Sequence, residues 1–204
     1  MNGKTKLLCG LDEAGRGPLA GPVCAAAVIL PDDFPVDILG DSKKLKPAAR
    51  EKARLLICQG AAVWGIGWAS AAEIDGINIH KASLLAMKRA FEVMLSYLKN
   101  CTAEHGDGAE VKHNVHAVAD GLFVPDIPVP CEALVKADGK VPAVMAASIM
   151  AKTARNRLME YYGLFYPEYG YEKHKGYPTK AHREAILRFG PSPIQRMSFR
   201  VTMS

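Results

Sequence analysis

Four acids in this sequence lie at or just after short apolar runs that predict β-strands. They are Asp12, Glu13, Asp120 and Asp138. In open α/β sheets, ligands collect beyond the ends of the strands, where the strand order changes direction. Carboxylates placed at several strand ends can therefore converge on one site, and we expect these four to do so.

Converging carboxylates repel one another, and at separations of about 4–6 Å one or more would hold a proton at neutral pH. Divalent cations remove this repulsion, and Mg²⁺ prefers carboxylate oxygen while keeping several waters. Two such ions about 3.5–4 Å apart can activate a water and stabilise the leaving oxygen of an in-line displacement. The four residues include no histidine or cysteine, which argues against zinc. Asp120 and Asp138 each precede a glycine, so simple turn residues remain the alternative.

The elements that must position these acids are predicted from periodicity and turn residues. Strands are predicted at residues 7–11, 23–30, 62–69, 115–119 and 131–136. Helices are predicted to begin near residues 47, 71, 78, 142 and 179, and loops to cover residues 102–113 and 165–179. Three strands come first as a meander and the later ones alternate with helices. This order predicts an α/β domain with a mixed five-stranded sheet flanked by helices.

Composition limits the class of protein. The 204 residues are 49% hydrophobic, which is enough for a sizeable core, and the formal net charge of +5 permits a polyanionic partner. The five cysteines are odd in number and none has CxxC spacing, so we expect reduced thiols in a cytoplasmic protein. The first residues lack the long apolar segment of a signal peptide, so we expect none, and no apolar run reaches about 20 residues. We therefore expect no membrane partner.

Six segments, in order along the chain, resemble the ribonuclease HII family. They are DEAGRGPLAGPV at residues 12–23, DSKKL at 41–45, Asp-Gly at 120–121, AASIMAK at 146–152, HKGYPT at 174–179 and SF at 198–199. The resemblance implies a ribonuclease H-like fold, with residues 1–204 as one catalytic domain. It also implies that a helical C-terminal segment, about residues 160–204, helps to bind the duplex. We expect a monomer.

The resemblance implies an endoribonuclease that uses Mg²⁺ or Mn²⁺. Such an enzyme cleaves the RNA strand of RNA–DNA hybrids, and it nicks duplex DNA on the 5′ side of a single embedded ribonucleotide. Asp12, Glu13, Asp120 and Asp138 then correspond to the catalytic carboxylates, with Asp12 as the ligand that two ions share. The family usually has glycine where Ala137 stands. Because alanine does not readily adopt a positive φ, we expect a slightly altered backbone there.

Substrate recognition is predicted at two places. Gly15-Arg16-Gly17 suits the detection of a 2′-hydroxyl, because glycines allow close backbone approach and Arg16 can bind phosphate bidentately. By resemblance, Tyr177 stacks on the sugar of the nucleotide after the ribonucleotide. Basic side chains expected to contact phosphate are Lys43, Lys152, Arg155, Lys175, Arg183 and Arg196.

Two other functions remain open. A DNA-only nuclease of the same fold, such as a junction resolvase, would retain the carboxylates but would not need Gly15-Arg16-Gly17 or Tyr177. A non-catalytic duplex-binding module would use the basic C-terminal third of the chain. Such a module has no use for four acids that repel phosphate in the absence of metal.

Overall fold

The structure is a computed structural model that describes residues 6–40, 45–103 and 114–202, so the predicted phosphate contact Lys43 lies outside the described residues. The strands are β1 (Leu7–Ala14), β2 (Val23–Ile29), β3 (Val63–Ala69), β4 (Val115–Asp120) and β5 (Cys131–Leu134). The α-helices are α1 (Pro47–Gly60), α2 (Ala71–Ile77), α3 (Ile79–Ala103), α4 (Pro142–Phe165), α5 (Tyr171–His174) and α6 (Lys180–Phe189). Short 3₁₀ turns occupy Val36–Ile38, Ala137–Gly139 and Pro167–Tyr169.

The strands form one mixed sheet in the order β3-β2-β1-β4-β5. Strands β1, β2 and β3 are antiparallel neighbours, whereas β4 runs parallel to both β1 and β5. The prediction of a mixed five-stranded sheet is therefore confirmed. Strand β1 is central, and it lies where antiparallel pairing on one side meets parallel pairing on the other.

Helices cover both faces of the sheet at close range because the facing residues are small. A Cβ on Gly10 of β1 would lie 2.1 Å from the main chain of Ala143 in α4. A Cβ on Gly67 of β3 would lie 2.2 Å from the carbonyl oxygen of Ala86 in α3. Trp64 and Trp68 share the opposite face of β3, as the strand period predicts, and pack with α1 and α4.

Two elements differ from the sequence-based expectation. Strand β1 continues through Asp12 and Glu13 to Ala14, because its antiparallel pairing with β2 extends to the pair Ala14 and Cys24. The predicted loop at residues 165–179 contains α5 and a 3₁₀ turn. Tyr171, the first residue of α5, is fully buried, and its hydroxyl hydrogen-bonds the Ser192 hydroxyl at 2.5 Å, which holds this segment to the C-terminal residues.

The C-terminal residues return to the turn that follows β1. The Leu19 N–H donates to the Gly176 carbonyl at 2.8 Å, and the Gly21 N–H donates to the Ile194 carbonyl at 2.8 Å. Ala20 pairs with Gln195 in an isolated antiparallel bridge. The start and the end of the chain thus meet beside the acidic residues. Among the described helices, none is both long and apolar enough to cross a bilayer.

Candidate active site

Three of the four predicted acids meet at one edge of the sheet. Asp12, Asp120 and Asp138 each contribute a carboxylate oxygen, and these oxygens lie within 4.8 Å of one another. The topology explains the meeting, because Asp12 lies on β1 and Asp120 is the last residue of the parallel neighbour β4. Asp138 lies in the 3₁₀ turn that follows β5, the next parallel strand. We call these three residues the acidic cluster.

The backbone around the acidic cluster holds the side chains in place. The Ala137 N–H donates to Asp120 Oδ1 at 2.8 Å, which fixes the 3₁₀ turn against the end of β4. The left-handed residue of this turn is Lys136, with φ 59°, whereas Ala137 lies inside the 3₁₀ turn and is fully buried. Ala137 itself therefore does not take a positive φ, and the expectation of a slightly altered backbone relative to the family stays a prediction.

Burial and mutual repulsion make the acidic cluster unfavourable without a cation. Burial raises the pKa of Asp12 well above its usual range, and the charges of Glu13 and Asp120 raise it further, while a hydrogen bond with Ser148 opposes these effects. Burial also raises the pKa of Glu13, against the opposing charge of Arg16. Three carboxylates without nitrogen or sulfur donors suit a hard divalent cation such as Mg²⁺ or Mn²⁺.

Glu13 takes a different position from the other three acids. It precedes the end of β1 by one residue, and it is not among the three acids whose oxygens lie within 4.8 Å of one another. Its Oε1 accepts a hydrogen bond from Arg16 Nη1 at 3.2 Å. Glu13 still lines the same cleft, but its role as a metal ligand stays a prediction.

Asp12 and Asp120 of the acidic cluster line a cleft of about 400 Å³. The cleft also contains most of the residues predicted to recognise substrate: Gly15, Arg16, Gly17, Lys152 and Tyr177. The Tyr177 side chain is 48% exposed, and its ring edge lies 3.6 Å from the point where a Cβ on Gly17 would stand. Thus the Gly-Arg-Gly turn and the tyrosine, 160 residues apart in the sequence, form adjacent parts of one wall.

Lys175, which was also predicted to contact the substrate, is not among the residues that line this cleft. Its Nζ forms an ion pair with Glu160 at 2.9 Å and also donates to the Glu172 carbonyl. Only 17% of the side chain is exposed. Because the amine has partners outside the cleft, the structure favours a role for Lys175 in holding α4 to α5 rather than in binding phosphate.

Arg155 lines the cleft, but its side chain and that of Arg196 are both buried, which differs from the exposure expected of phosphate contacts. Arg155 donates to the carbonyls of Pro22, Lys175 and Ala20 at 2.9, 3.0 and 3.1 Å. Arg196 donates to main-chain carbonyls of the Gly-Arg-Gly turn and of Gly21. Sequence periodicity contained a signal for Arg155, since it follows Ala147 and Ala151 at intervals of four on the buried face of α4. No comparable pattern marks Arg196.

Comparisons with known proteins agree with this geometry. The family model described as Ribonuclease HII matches residues 9–202. The Ribonuclease HII of Treponema denticola is 55% identical over 196 residues, which are 95% of this chain and 98% of that protein. The Ribonuclease HII of Dechloromonas aromatica is 45% identical over 193 residues, covering 95% of this chain and 90% of that protein.

A solved structure gives the same answer for the fold. The structure of the PCNA:RNase HII complex from Archaeoglobus fulgidus contains a chain that matches with a TM-score of 0.67 at 25% identity, and the match covers 97% of each chain. The predicted ribonuclease H-like fold is therefore confirmed. From the family match and the curated relatives together, this chain belongs to the ribonuclease HII family, whose members are divalent-metal-dependent hydrolases that cleave RNA in RNA–DNA hybrids.

Proposed function

We propose that this chain hydrolyses the RNA strand of RNA–DNA hybrids and also incises duplex DNA on the 5′ side of a single embedded ribonucleotide. The cut would leave a 5′-phosphate and a 3′-hydroxyl. The observation that carries this proposal is the shared cleft. It joins Asp12 and Asp120 of the acidic cluster, which suits phosphodiester chemistry, to Gly15-Arg16-Gly17 and Tyr177, which suit recognition of a ribose.

Asp12, Asp120 and Asp138 would hold two divalent ions, Mg²⁺ or Mn²⁺, with Asp12 as the shared ligand and Glu13 completing the set. When bound, such ions supply a water of lowered pKa and stabilise the charge on the leaving oxygen. The protein's own contribution is to keep the carboxylates converged. The hydrogen bonds from Ala137 to Asp120 and from Glu13 to Asp12 do this without using a competing side-chain cation.

Recognition of the ribonucleotide would use the wall opposite the acids. The turn at residues 15–17 would approach the sugar and the phosphate through its main chain, because Gly15 and Gly17 have no side chains to intervene. The Tyr177 ring would stack on the neighbouring sugar. Since a 2′-hydroxyl is the group that distinguishes RNA from DNA, these contacts would set where the chain is cut.

Binding of the duplex would rest on phosphate contacts that carry no sequence information. Arg16, whose side chain is 51% exposed, and Lys152 lie at the cleft and would supply such contacts. The C-terminal segment from about residue 160 would add further surface, since α5 carries the loop that ends in Tyr177. The partners are thus RNA–DNA hybrids and ribonucleotide-containing duplex DNA, bound by a monomer.

One experiment tests the proposal directly. An end-labelled DNA duplex with one ribonucleotide is incubated with the protein in Mg²⁺ or Mn²⁺, beside the same duplex with the 2′-deoxy nucleotide. We expect one cut on the 5′ side of the ribonucleotide and none in the all-DNA duplex. An identically purified Asp12→Asn variant controls for contaminating nucleases. Equal cutting of both duplexes would instead identify a DNA-only nuclease, the second function that the acidic cluster alone allows.

A further inference from the structure

Arg196 lies directly beneath the Gly-Arg-Gly turn and is completely buried. Its Nη2 donates to the Gly15 carbonyl at 2.6 Å, and its Nη1 donates to the Arg16 carbonyl at 2.9 Å. Its Nε donates to the Gly21 carbonyl at 2.8 Å. One side chain near the end of the chain therefore fixes the direction of two successive peptide groups in the turn near its start.

Because peptide groups are planar and trans, these bonds also fix the direction of the N–H groups on the opposite side of the turn. In each peptide group the C=O and the N–H point in opposite directions. Because the carbonyls of Gly15 and Arg16 point inward to Arg196, the N–H groups of Arg16 and Gly17 point away from it. Residues 15–17 line the cleft. Within the described part of the chain, neither of these two N–H groups donates to a protein acceptor.

We propose that Arg196 is a positioning residue for substrate binding: it holds two carbonyls inward, so that the N–H groups of Arg16 and Gly17 face an oxygen of the nucleic-acid backbone. This inference rests on the proposed function, because it assumes a nucleic acid in the cleft. Two adjacent amides that point at one place form a concave site suited to an anionic oxygen. Arg196 itself does not touch the substrate.

The chemistry of arginine suits this role better than that of lysine. A guanidinium is a rigid planar fork that can donate to several carbonyls at fixed angles, whereas an ammonium is a point charge on a flexible stem. Burial, and then the charge of Arg155, lower the pKa of Arg196 to about 9, so the side chain remains charged at neutral pH.

The end of the chain is itself fastened around Arg196. The Phe199 ring centre lies 5.1 Å from its guanidinium carbon. The N–H groups of Met197 and Ser198 each donate to the Asp75 carboxylate at 2.9 Å. These contacts limit the movement of the guanidinium, so the direction of the two amides is set by a chain of contacts that reaches back to α2.

The test compares wild-type protein with Arg196→Lys, which keeps the charge, and with Ile57→Ala, a buried substitution between α1 and the sheet that lowers general stability. Steady-state cleavage of an RNA–DNA hybrid is measured in Mn²⁺. Since a displacement of about 1 Å can cost about 100-fold in rate, we expect kcat/KM of Arg196→Lys to fall by about 10- to 100-fold, mainly through KM. The Ile57→Ala variant should keep the wild-type KM.

A second readout needs no cleavage. An all-DNA duplex, which the proposed function leaves uncut, is titrated into ¹⁵N-labelled protein in Mg²⁺, and the amide resonances of Arg16 and Gly17 are followed. They should shift in wild type and in Ile57→Ala but not in Arg196→Lys. If Arg196→Lys does not fold, Asp75→Asn is used instead, because it retains Arg196. In Asp75→Asn we expect the Arg16 and Gly17 amide shifts to be reduced, but by less than in Arg196→Lys. The inference is overturned if Arg196→Lys shows the wild-type KM and the wild-type amide shifts. If only Asp75→Asn folds, the inference is overturned by amide shifts in that variant as large as those in wild type. Absence of cleavage by wild-type protein overturns only the proposed function.

Discussion

The acidic cluster and the buried arginines are two neighbouring regions that handle charge in opposite ways. In the acidic cluster, carboxylate oxygens of like charge lie within 4.8 Å of one another. At Arg155 and Arg196, each guanidinium faces carbonyl dipoles that the main chain supplies. The first region raises the pKa of Asp12, whereas the second satisfies its donors within the protein.

This difference distinguishes the residues that bind a cofactor from the residues that hold the site in shape. A buried donor that already has acceptors gains nothing from a ligand, and its removal leaves those acceptors without a partner. A group of repelling carboxylates gains a great deal from a cation, and removing one of them relieves the repulsion. We therefore expect mutations in the acidic cluster to affect activity more than stability, and a mutation of Arg155 to do the reverse.

The largest effect is expected for Asp12→Asn. Losing the central carboxylate should reduce cleavage of an RNA–DNA hybrid by about 10³-fold or more, which corresponds to about 4 kcal/mol of transition-state stabilisation. In EDTA the same variant should melt at an equal or higher temperature than wild type, since one repelling charge is gone. Single-turnover cleavage in Mg²⁺ and Mn²⁺ measures the first quantity, and calorimetry in EDTA measures the second.

The control for Asp12→Asn is the change in melting temperature when metal is added. Added Mg²⁺ or Mn²⁺ should raise the melting temperature of wild type, by an amount that grows with the ratio of free ion to Kd. The increase should be smaller in Asp12→Asn. A variant that melts well below wild type in EDTA would mean that the acidic cluster also holds the fold together, and the contrast between the two regions would then fail.

For Arg155→Met we expect the opposite pattern. The substitution leaves three main-chain carbonyls without their donor, at a cost of about 2–4 kcal/mol in the free energy of unfolding. For a chain of this size the melting temperature should fall by about 5–15 °C. Thermal unfolding in EDTA measures this fall. Arg157→Met is the control, because Arg157 is exposed and pairs with Glu51 at the surface. Equal melting of the two variants would contradict the structural role of Arg155.

Tyr177→Ala should have a smaller effect, which is specific to the substrate. Loss of a stacking ring should reduce incision at a single ribonucleotide by about tenfold, or about 1.4 kcal/mol, with little change in melting because the side chain is half exposed. Rates on the single-ribonucleotide duplex are compared with rates on a long hybrid. Tyr161→Ala, an exposed tyrosine outside the cleft, is the control. Unchanged incision by Tyr177→Ala would remove this residue from recognition.

The smallest expected effect is the dependence of the free energy of unfolding on pH. His174 Nε2 donates to the Tyr169 carbonyl and its Nδ1 accepts from the Gly176 N–H, so the ring is held neutral. Burial lowers the pKa values of both His174 and the stacked His182. The unfolded chain then binds more protons, so stability should fall as pH drops below about 6.5, by at most about 1.4 kcal/mol per pH unit for each histidine.

The acidic cluster should act in the opposite sense as pH falls. The raised pKa of Asp12 means that the folded state binds the extra proton, so this group adds stability as pH falls towards the usual carboxyl range. Chemical denaturation at several pH values in EDTA separates the two contributions. We expect His174→Asn to flatten the fall and Asp12→Asn to steepen it. Identical slopes in all three proteins would assign the pH dependence to other groups.

Much of this arrangement could be predicted from local patterns. The positions of the five strands, the start of α2 near residue 71 and the meeting of three acids all follow from periodicity and from where strands end. The separate placement of Glu13 was harder to predict. It depends on how far β1 pairs with β2, which is a property of the sheet and not of the segment.

The roles of the basic residues could not be predicted in the same way. A lysine or arginine in a sequence is usually solvated surface, and only long-range contacts show when it is not. Arg196 reaches carbonyls about 180 residues earlier, and Lys175 is paired to Glu160 on another helix. Burial of a guanidinium is favourable only when carbonyl groups have been brought together to accept its hydrogen bonds, and the sequence does not show where this happens.

The bond from Arg196 to Gly15 has a consequence for the order in which the protein becomes active during synthesis. All four acids have been made once residue 138 leaves the ribosome, but the turn beside them is held by a residue added 58 positions later. Since a domain folds as a unit, the acids are expected to meet beside a fixed turn only after residue 196 has also left the ribosome. We therefore expect metal binding and selectivity for the sugar to arise together, late in synthesis.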